Sequence, residues 1–558
     1  MKQKLLSILT IILIFIITIS IQFSCNKTDE LIVVPVLGVS LPLSDLNYDR
    51  YYGLSHDARS IELVFDDALN EETIEGNIVL FDKEESLALN YDLIVDGKVV
   101  FIRFHNDFFL NDGWKYELKM SSKLNSVEGI GFNEEKIIEF RTTAKHISYG
   151  FGNTNDTIQR TLIACISDIH CGDERATNGN YSWFGKNADA LEKFLDFIKN
   201  NEKVKELVIL GDLFDEWMVP YEFSPFDSAV NITSSKEYFH AIANSPTNKP
   251  VFDKMREIIS EGEIDIIYVP GNHDMLITKD VIDEIIPGAL WKGDATGLGK
   301  YNPVDKILME HGHRYDFFNC PQPLVNDGHI LPPGYFVSRL YAAGLAARKP
   351  QTMKQSQSTA GDAEFITAWT VAFGYTIGTF MMDVDTIPMD SNIVLMNGID
   401  NYSSSVSFDG ARDMYAANIE ELWPNTQVIN NVPIPLSVFL AIVNGTYLYG
   451  GVIYEFLLDF LAPNAPKIVA FGHSHQPELK VFPFEHYYTG IYANSGSWLD
   501  ADQSKYKVRT FLIINPAEWS GSNLDVVSLY QYNPDSDTSG NGNTYKSVLL
   551  DEESIAVE

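Results

Sequence analysis

The residues able to do chemistry stand in five short groups. They are Ser167-Asp168-Ile169-His170, Gly211-Asp212-Leu213-Phe214-Asp215-Glu216-Trp217, Gly271-Asn272-His273-Asp274, Glu310-His311-Gly312-His313-Arg314-Tyr315-Asp316 and Gly472-His473-Ser474-His475-Gln476-Pro477. Each follows an apolar run of strand type, and each supplies Asp, Asn or His. Side chains two apart on an extended segment share a face, so Asp168 and His170 can grip one object together. Carboxylate, amide and imidazole donors without Cys-x-x-Cys suit Mn, Fe, Zn or Ni better than a thiolate cluster. Seven such donors exceed what one tetrahedral ion can use. Two ions sharing a carboxylate would employ them all.

In order and spacing the five groups resemble the calcineurin-like metallophosphoesterases, with their Asp-x-His, Gly-Asp-x-x-Asp, Gly-Asn-His-Asp/Glu, His-Gly and Gly-His-x-His motifs. The resemblance runs over about residues 160–520, apart from an insertion. It implies that Asp168, His170 and His475 bind one metal, that Asn272, His311 and His473 bind a second, and that Asp212 bridges both. It makes His273 the general acid or phosphate-binding group, held by Asp215. It implies two divalent or transition metal ions as cofactors, with Mn, Fe, Zn and Ni all open. The reaction implied is hydrolysis of a phosphate mono- or diester, by in-line attack of a water activated between the ions. His313 and Arg314 either reach the substrate or pack in the insertion. Asn494-Ser-Gly-Ser-Trp498 resembles the family's closing strand-turn. The alternatives are a pyrophosphatase acting on a nucleotide or lipid-linked diphosphate, and a non-catalytic surface binding protein. The Gly-Asp-Leu-Phe group and nearby Trp217 also resemble the UDP-2,3-diacylglucosamine hydrolases. The chain departs from these at His273, where they place arginine, so their substrate is not carried over. A small phosphoester is the expected partner, with a lipid-like one left open. There is no Gly-rich loop ending in Gly-Lys-Ser/Thr and no Gly-x-Ser-x-Gly turn, the signals of P-loop enzymes and serine hydrolases.

Strands and helices in alternation must position these groups. TLIACIS (161–167), ELVIL (206–210), DIIYV (265–269), KILM (306–309) and KIVAF (467–471) read as strands. NADALEKFLDFIKN (187–200) and VFDKMREIIS (251–260) carry apolar residues at helical spacing. The expected fold is α/β, the family's four-layer αββα sandwich over residues 146–535, with a largely helical cap insertion at 315–465. Two uncharged runs, Phe365 to Met382 and Leu422 to Tyr454, fall in that insertion. Buried helices over the site are the preferred reading, and a lipid-touching surface the sharper alternative. Before the α/β region, residues 37–145 hold short alternating segments such as SIELVF (60–65) and KYELKM (115–120). They predict an all-β sandwich and resemble bacterial Ig-like domains. Residues 536–558 read as a C-terminal tail.

The 558 residues, 45% of them apolar, allow several domains with full cores. The net charge of −35, from 76 acids against 41 bases, repels phosphate backbones and excludes a nucleic-acid partner. Lys2 and Lys4 precede an uncharged run from Leu5 to Phe23, the form of an export signal over residues 1–24. Ser24-Cys25 and the polar residues after it resemble a bacterial lipoprotein cleavage site and a surface-export signal. Lipidation at Cys25, a tether over 25–36, and membrane attachment through that lipid follow as expectations. They would place the protein on the outer membrane, at its periplasmic or cell-surface side. Cys165, Cys171 and Cys320 are an odd number and form no complete disulfide framework.

Overall fold

The computed structural model describes residues 33–556 except 37–38, 44–47, 55–59, 66, 84, 105–109, 112–113, 143, 146–159, 326–327, 347–392, 417–418, 434, 439–440, 442–464, 485–487, 501–506 and 535–546. The export signal, Cys25 and the run from Phe365 to Met382 therefore lie outside the described residues, as does most of the second half of the run from Leu422 to Tyr454. The chain divides into two compact units, Met1–Ala144 and Lys145–Glu558.

The first unit is built from strands in two sheets. One runs Val33–Val36, Ser60–Phe65, Val99–Arg103, Asp92–Asp96, and the other contains Tyr48–Leu54, Lys136–Thr142, Lys115–Met120 and Ile78–Asp82. Strand alternation is visible in Lys115–Met120, where Tyr116, Leu118 and Met120 are buried and the residues between them are not. These join Ile61, Leu63, Leu80, Ile102 and Ile138 in one core. The expected tether is shorter than its sequence suggests. Val33–Val36 pairs antiparallel with Glu62–Phe65, because a Val-Val-Pro-Val stretch beside an unpaired edge strand completes that edge.

In the second unit β1 (Leu162–Ile166), β2 (Val204–Leu210) and β3 (Asp265–Val269) lie parallel and adjacent. β4 (Ile307–Glu310), β5 (Ile468–Phe471), β6 (Glu478–Phe484) and β7 (Tyr488–Asn494) belong to a second sheet, where β4, β5 and β7 run parallel. β8 (Thr510–Asn515), β9 (Leu524–Tyr532) and β10 (Ser547–Ala556) extend the first sheet by antiparallel pairing beyond β1. All five residues of β1 and all four of β5 are buried. Continuous apolar runs of this kind mark strands covered on both faces. Helices α1 (Ala188–Lys199) and α2 (Lys249–Glu261) pack on one another, with Phe194, Leu195 and Met255 buried. Mixed sheets with helices are the α/β class expected. β10 corrects the expected tail. Residues 547–556 pair with β9 and bury Leu549, Leu550 and Ile555, while the acids at 551–553 mask the apolar alternation in the sequence.

The described part of the insertion is helix, turn and one two-residue strand pair. α3 (Pro333–Ala346), Phe408–Ala416 and Ile419–Ile429 are its α-helices. Tyr335, Phe336, Met396, Ile399 and Phe408 are buried against Trp217 and Met275, which sit in the loops after β2 and β3. No helix among the described residues is long and apolar enough to cross a membrane.

Candidate metal centre

Each of the five groups leaves the end of a buried strand, β1 to β5 in turn, and the loops turn back over the sheet edges. The turning is done by residues with left-handed backbone. Asp168, His170, Asp212, His473 and His475 have φ of 52°, 58°, 53°, 69° and 58°. Short polar side chains tolerate this region better than branched ones, yet five in one site is a concentration of strain. Two glycines make the approach possible. A Cβ on Gly271 would lie 2.1 Å from Asp212 Oδ1, and one on Gly472 would lie 2.6 Å from Asp168 Oδ2.

Hydrogen bonds staple the loops together. The backbone N–H of His473 donates to both oxygens of Asp168, at 3.1 and 3.0 Å. The N–H of His273 donates to Asp212 Oδ1 at 2.8 Å. Asp274 accepts from Gly271 N–H at 2.6 Å, from Leu213 N–H at 3.0 Å and from the Tyr268 hydroxyl at 2.5 Å. Burial, with the charge of Asp212 adding to it, raises the Asp274 carboxyl to about 6. Ser495 Oγ lies 2.6 Å from Ser167 Oγ, and the Trp498 N–H donates to the Asp168 carbonyl. The 494–498 turn thus closes against the first loop.

His311, His473 and His170 are each held at one ring nitrogen, which turns the other toward neighbouring Asp, Asn or His side chains. His311 Nδ1 donates to the Leu210 carbonyl at 2.7 Å, which leaves Nε2 3.0 Å from Asn272 Oδ1 and 3.2 Å from Asp212 Oδ2. His473 Nε2 faces Asp316 Oδ2 at 3.1 Å, and its Nδ1 meets Asn272 Oδ1 at 3.0 Å. His170 Nδ1 faces Asp215 Oδ2 at 3.1 Å, and its Nε2 lies 3.1 Å from His475 Nε2. His475 Nε2 is also 3.3 Å from Asp168. A carboxylate or carbonyl behind a ring is the usual way to aim its other nitrogen at a cation.

Two donor sets result. Asp168, His170, Asp212 and His475 offer ligand atoms that all lie within 4.8 Å of one another. Asn272 Oδ1 stands 3.0 Å from both His311 Nε2 and His473 Nδ1, and His311 Nε2 reaches Asp212 at 3.2 Å. Asp212 belongs to both. This donor chemistry, buried oxygen and imidazole nitrogen without thiolate, fits hard or borderline divalent ions. His170, Asp215 and His273 also approach closely enough to hold an ion. However, Asp215 Oδ1 already accepts from the N–H groups of Trp217 and Met218, at 3.0 and 2.9 Å. Its lone pairs are spent on positioning.

Electrostatics separate the roles. Burial opposes ionisation of Asp212, but His311 and His273 hold its carboxyl well below the usual range. Asp215 is likewise depressed, against burial, by His273 and His170. Burial disfavours an imidazolium at His273, yet Asp215 and Asp212 lift it above its ordinary value. Its Nδ1 sits 2.8 Å from Asp215 Oδ1, so Nε2 is free to carry a proton to a bound group.

Two expected residues are placed otherwise than at a substrate. His313 is buried, donates from Nε2 to the Gly297 carbonyl at 3.2 Å, and is kept neutral by burial and by His311 and His473. Arg314 pairs with Glu310 at 2.8 Å and donates to the Asn431 carbonyl. Arg314 thus reaches the insertion at Asn431, whereas the acceptor that holds His313 lies outside it. Asp316, behind His473, closes the His311 group, but nothing in its spacing marks it as the partner of His473. Trp183, whose ring lies 5.6 Å from that of His273, stands in none of the five groups, whereas Trp217, at 4.6 Å, closes the second of them.

Residues 161–343 match the family described as calcineurin-like phosphoesterase. No curated protein matches the chain. Among solved structures, the N-terminal part of the bacterial S-layer protein SbsC is 20% identical, with a TM-score of 0.14 over 19% of this chain and 26% of that one. Escherichia coli alpha-2-macroglobulin is 12% identical, with a TM-score of 0.15 over 27% of this chain and 8% of that one. The chitinase ChiW from a Paenibacillus species is 10% identical, with a TM-score of 0.17 over 47% of this chain and 20% of that one. The chain thus spans only a minor part of those structures' length, and likenesses this weak carry no functional argument.

Proposed function

Since residues 161–343 make the chain the bearer of a calcineurin-like phosphoesterase domain, a family of metal-dependent phosphoesterases, we propose that it hydrolyses a phosphate mono- or diester at a two-metal site. The observation that carries this reading is the sharing of Asp212 between two converging donor sets. Asp168, His170 and His475 would hold one ion, and Asn272, His311 and His473 the other. What a pair of divalent cations supplies when bound is positive charge against the phosphoryl oxygens and a water that loses its proton near neutral pH. The negative charge of Asp212 offsets the repulsion between two such ions. His273 Nε2, with Asp215 behind the ring, hands a proton to the departing oxygen. Asp215 serves twice, because its other oxygen orients His170. Burial of the cage keeps bulk water from competing with these groups.

The basic start, the uncharged run and Cys25 support an exported, lipid-anchored form, with the first unit as an Ig-like spacer. The test is direct. Purified protein should carry about two transition metal ions per chain and cleave small chromogenic phosphate esters. Asp212→Ala should lose both properties. Full esterase activity in that variant would remove the mechanism.

A further inference from the structure

The side chain with the most unspent chemistry beside the donor cage is Trp183. Its ring centroid lies 5.0 Å from that of His170, 5.6 Å from His273 and 6.0 Å from His475. It therefore borders the first donor set and the free imidazole together. Its indole nitrogen is buried and has no acceptor, a state that buried N–H groups rarely keep without a ligand or water to meet them. The ring itself is only half-buried. Tyr341, from α3, stands 6.0 Å away at 63°, and the pair flanks a small apolar cluster with Met218, Ala342 and Leu345. Trp217 covers the other side of His273, with ring centroids 4.6 Å apart and planes at 28°. Trp217 is enclosed, so the Trp183 side is the one open to a ligand.

A group that takes a proton from His273 Nε2 must come within about 2.6–3.2 Å of it. Its remaining atoms then fall against Trp183. We infer that Trp183 and Tyr341 form a leaving-group subsite for a flat, apolar ring, and that the Trp183 N–H donates to an oxygen of the bound phosphate. This rests on the phosphoesterase reading and narrows its substrate class to esters with an aryl-type leaving group. In the cleavage the oxygen of water bonds to phosphorus, the P–O bond to the aryl oxygen breaks, and the proton on His273 goes to that oxygen.

The test uses the full-length, metal-loaded protein and two ligands that it cannot hydrolyse, phenylphosphonate and methylphosphonate. Wild type should bind the phenyl compound about tenfold more tightly, the scale of one aromatic pair. Trp183→Leu should bring that ratio close to one. Trp183→Phe should keep the preference and weaken both ligands about threefold to tenfold, by losing the N–H. The kcat/KM values for phenyl phosphate and methyl phosphate should follow the same pattern, with metal content per chain unchanged. A ratio near one in wild type, or a ratio that Trp183→Leu leaves intact, overturns the subsite. If Trp183→Leu does not fold, Trp183→Phe decides, and wild-type affinity for both ligands there overturns the N–H contact. A wild type that cleaves no ester and binds neither phosphonate fails at the phosphoesterase reading instead.

Discussion

At the scale of single residues, Asp215 and His273 separate two tasks that motif spacing runs together. Asp215 reaches His273 with one oxygen and His170 with the other. His273 belongs to neither donor set. Replacing His273 by Asn should therefore lower kcat by about 10²–10⁴ while metal content stays at the wild-type level. Replacing Asp215 by Asn should lower kcat as well, and also weaken metal retention by roughly 10–100-fold, because it loosens the ring of a donor. Metal titration against a competing chelator, beside steady-state kinetics, distinguishes the pair. Equal metal loss in both variants would return His273 to the ligands. The cluster of Asp168, His170, Asp212 and His475 was legible in the sequence because Asp-x-His and His-x-His stand at strand ends. Asp316 and Trp183 were not, since each acts through a contact with a residue far along the chain.

At the scale of elements, the insertion is held to the loops around the site by one buried cation. Arg339, on α3, is fully buried and donates to the carbonyls of Val219 at 2.6 Å, Pro220 at 3.1 Å and Phe223, and to the Tyr335 hydroxyl at 2.8 Å. A buried guanidinium is tolerable only when its donors are met in this way. Glu216 lies beneath the same loop, fully buried, with Oε2 unpaired and Oε1 3.4 Å from the Ser235 hydroxyl. Burial raises its carboxyl to about 8, Asp400 and Asp215 push the same way, and Arg339 and Ser235 pull against them. A folded-state value above the unfolded one gives stability that is complete in acid and is lost as pH rises through about 8. Glu216→Gln should thus melt about 2 °C or more higher than wild type at pH near 8 and no higher at pH near 4. Melting curves across that range check it, and a gain of equal size at both ends would assign the effect to packing. None of this was readable beforehand. Glu216 follows Asp215 like any acid of a polar loop, and only the fold shows that α3 covers it.

For the whole molecule, what the sequence conveyed was rhythm, and what it withheld was adjacency. The switch from alternating short strands to strand-then-helix located the two units, because periods of two and of 3.6 residues are written in the apolar pattern. Sheet order is set by pairing across hundreds of residues, as between β1 and β8, whereas β10 passed for a tail because the acids at 551–553 break its apolar alternation, although it pairs along β9. The first unit's core, from Ile61 to Phe140, is made of residues of that unit alone. Every residue proposed as a metal donor lies in the second unit, between Asp168 and His475. Removing residues 1–144 should therefore leave metal content and turnover of a small chromogenic ester within about twofold of wild type, a change of under 0.5 kcal/mol in the barrier. Denaturant unfolding of the intact chain should show two transitions, of which only the one that coincides with metal release survives truncation. Should the shortened chain fold and keep its metals yet lose the ester, the first unit would be a substrate-handling domain, and the spacer reading would fall.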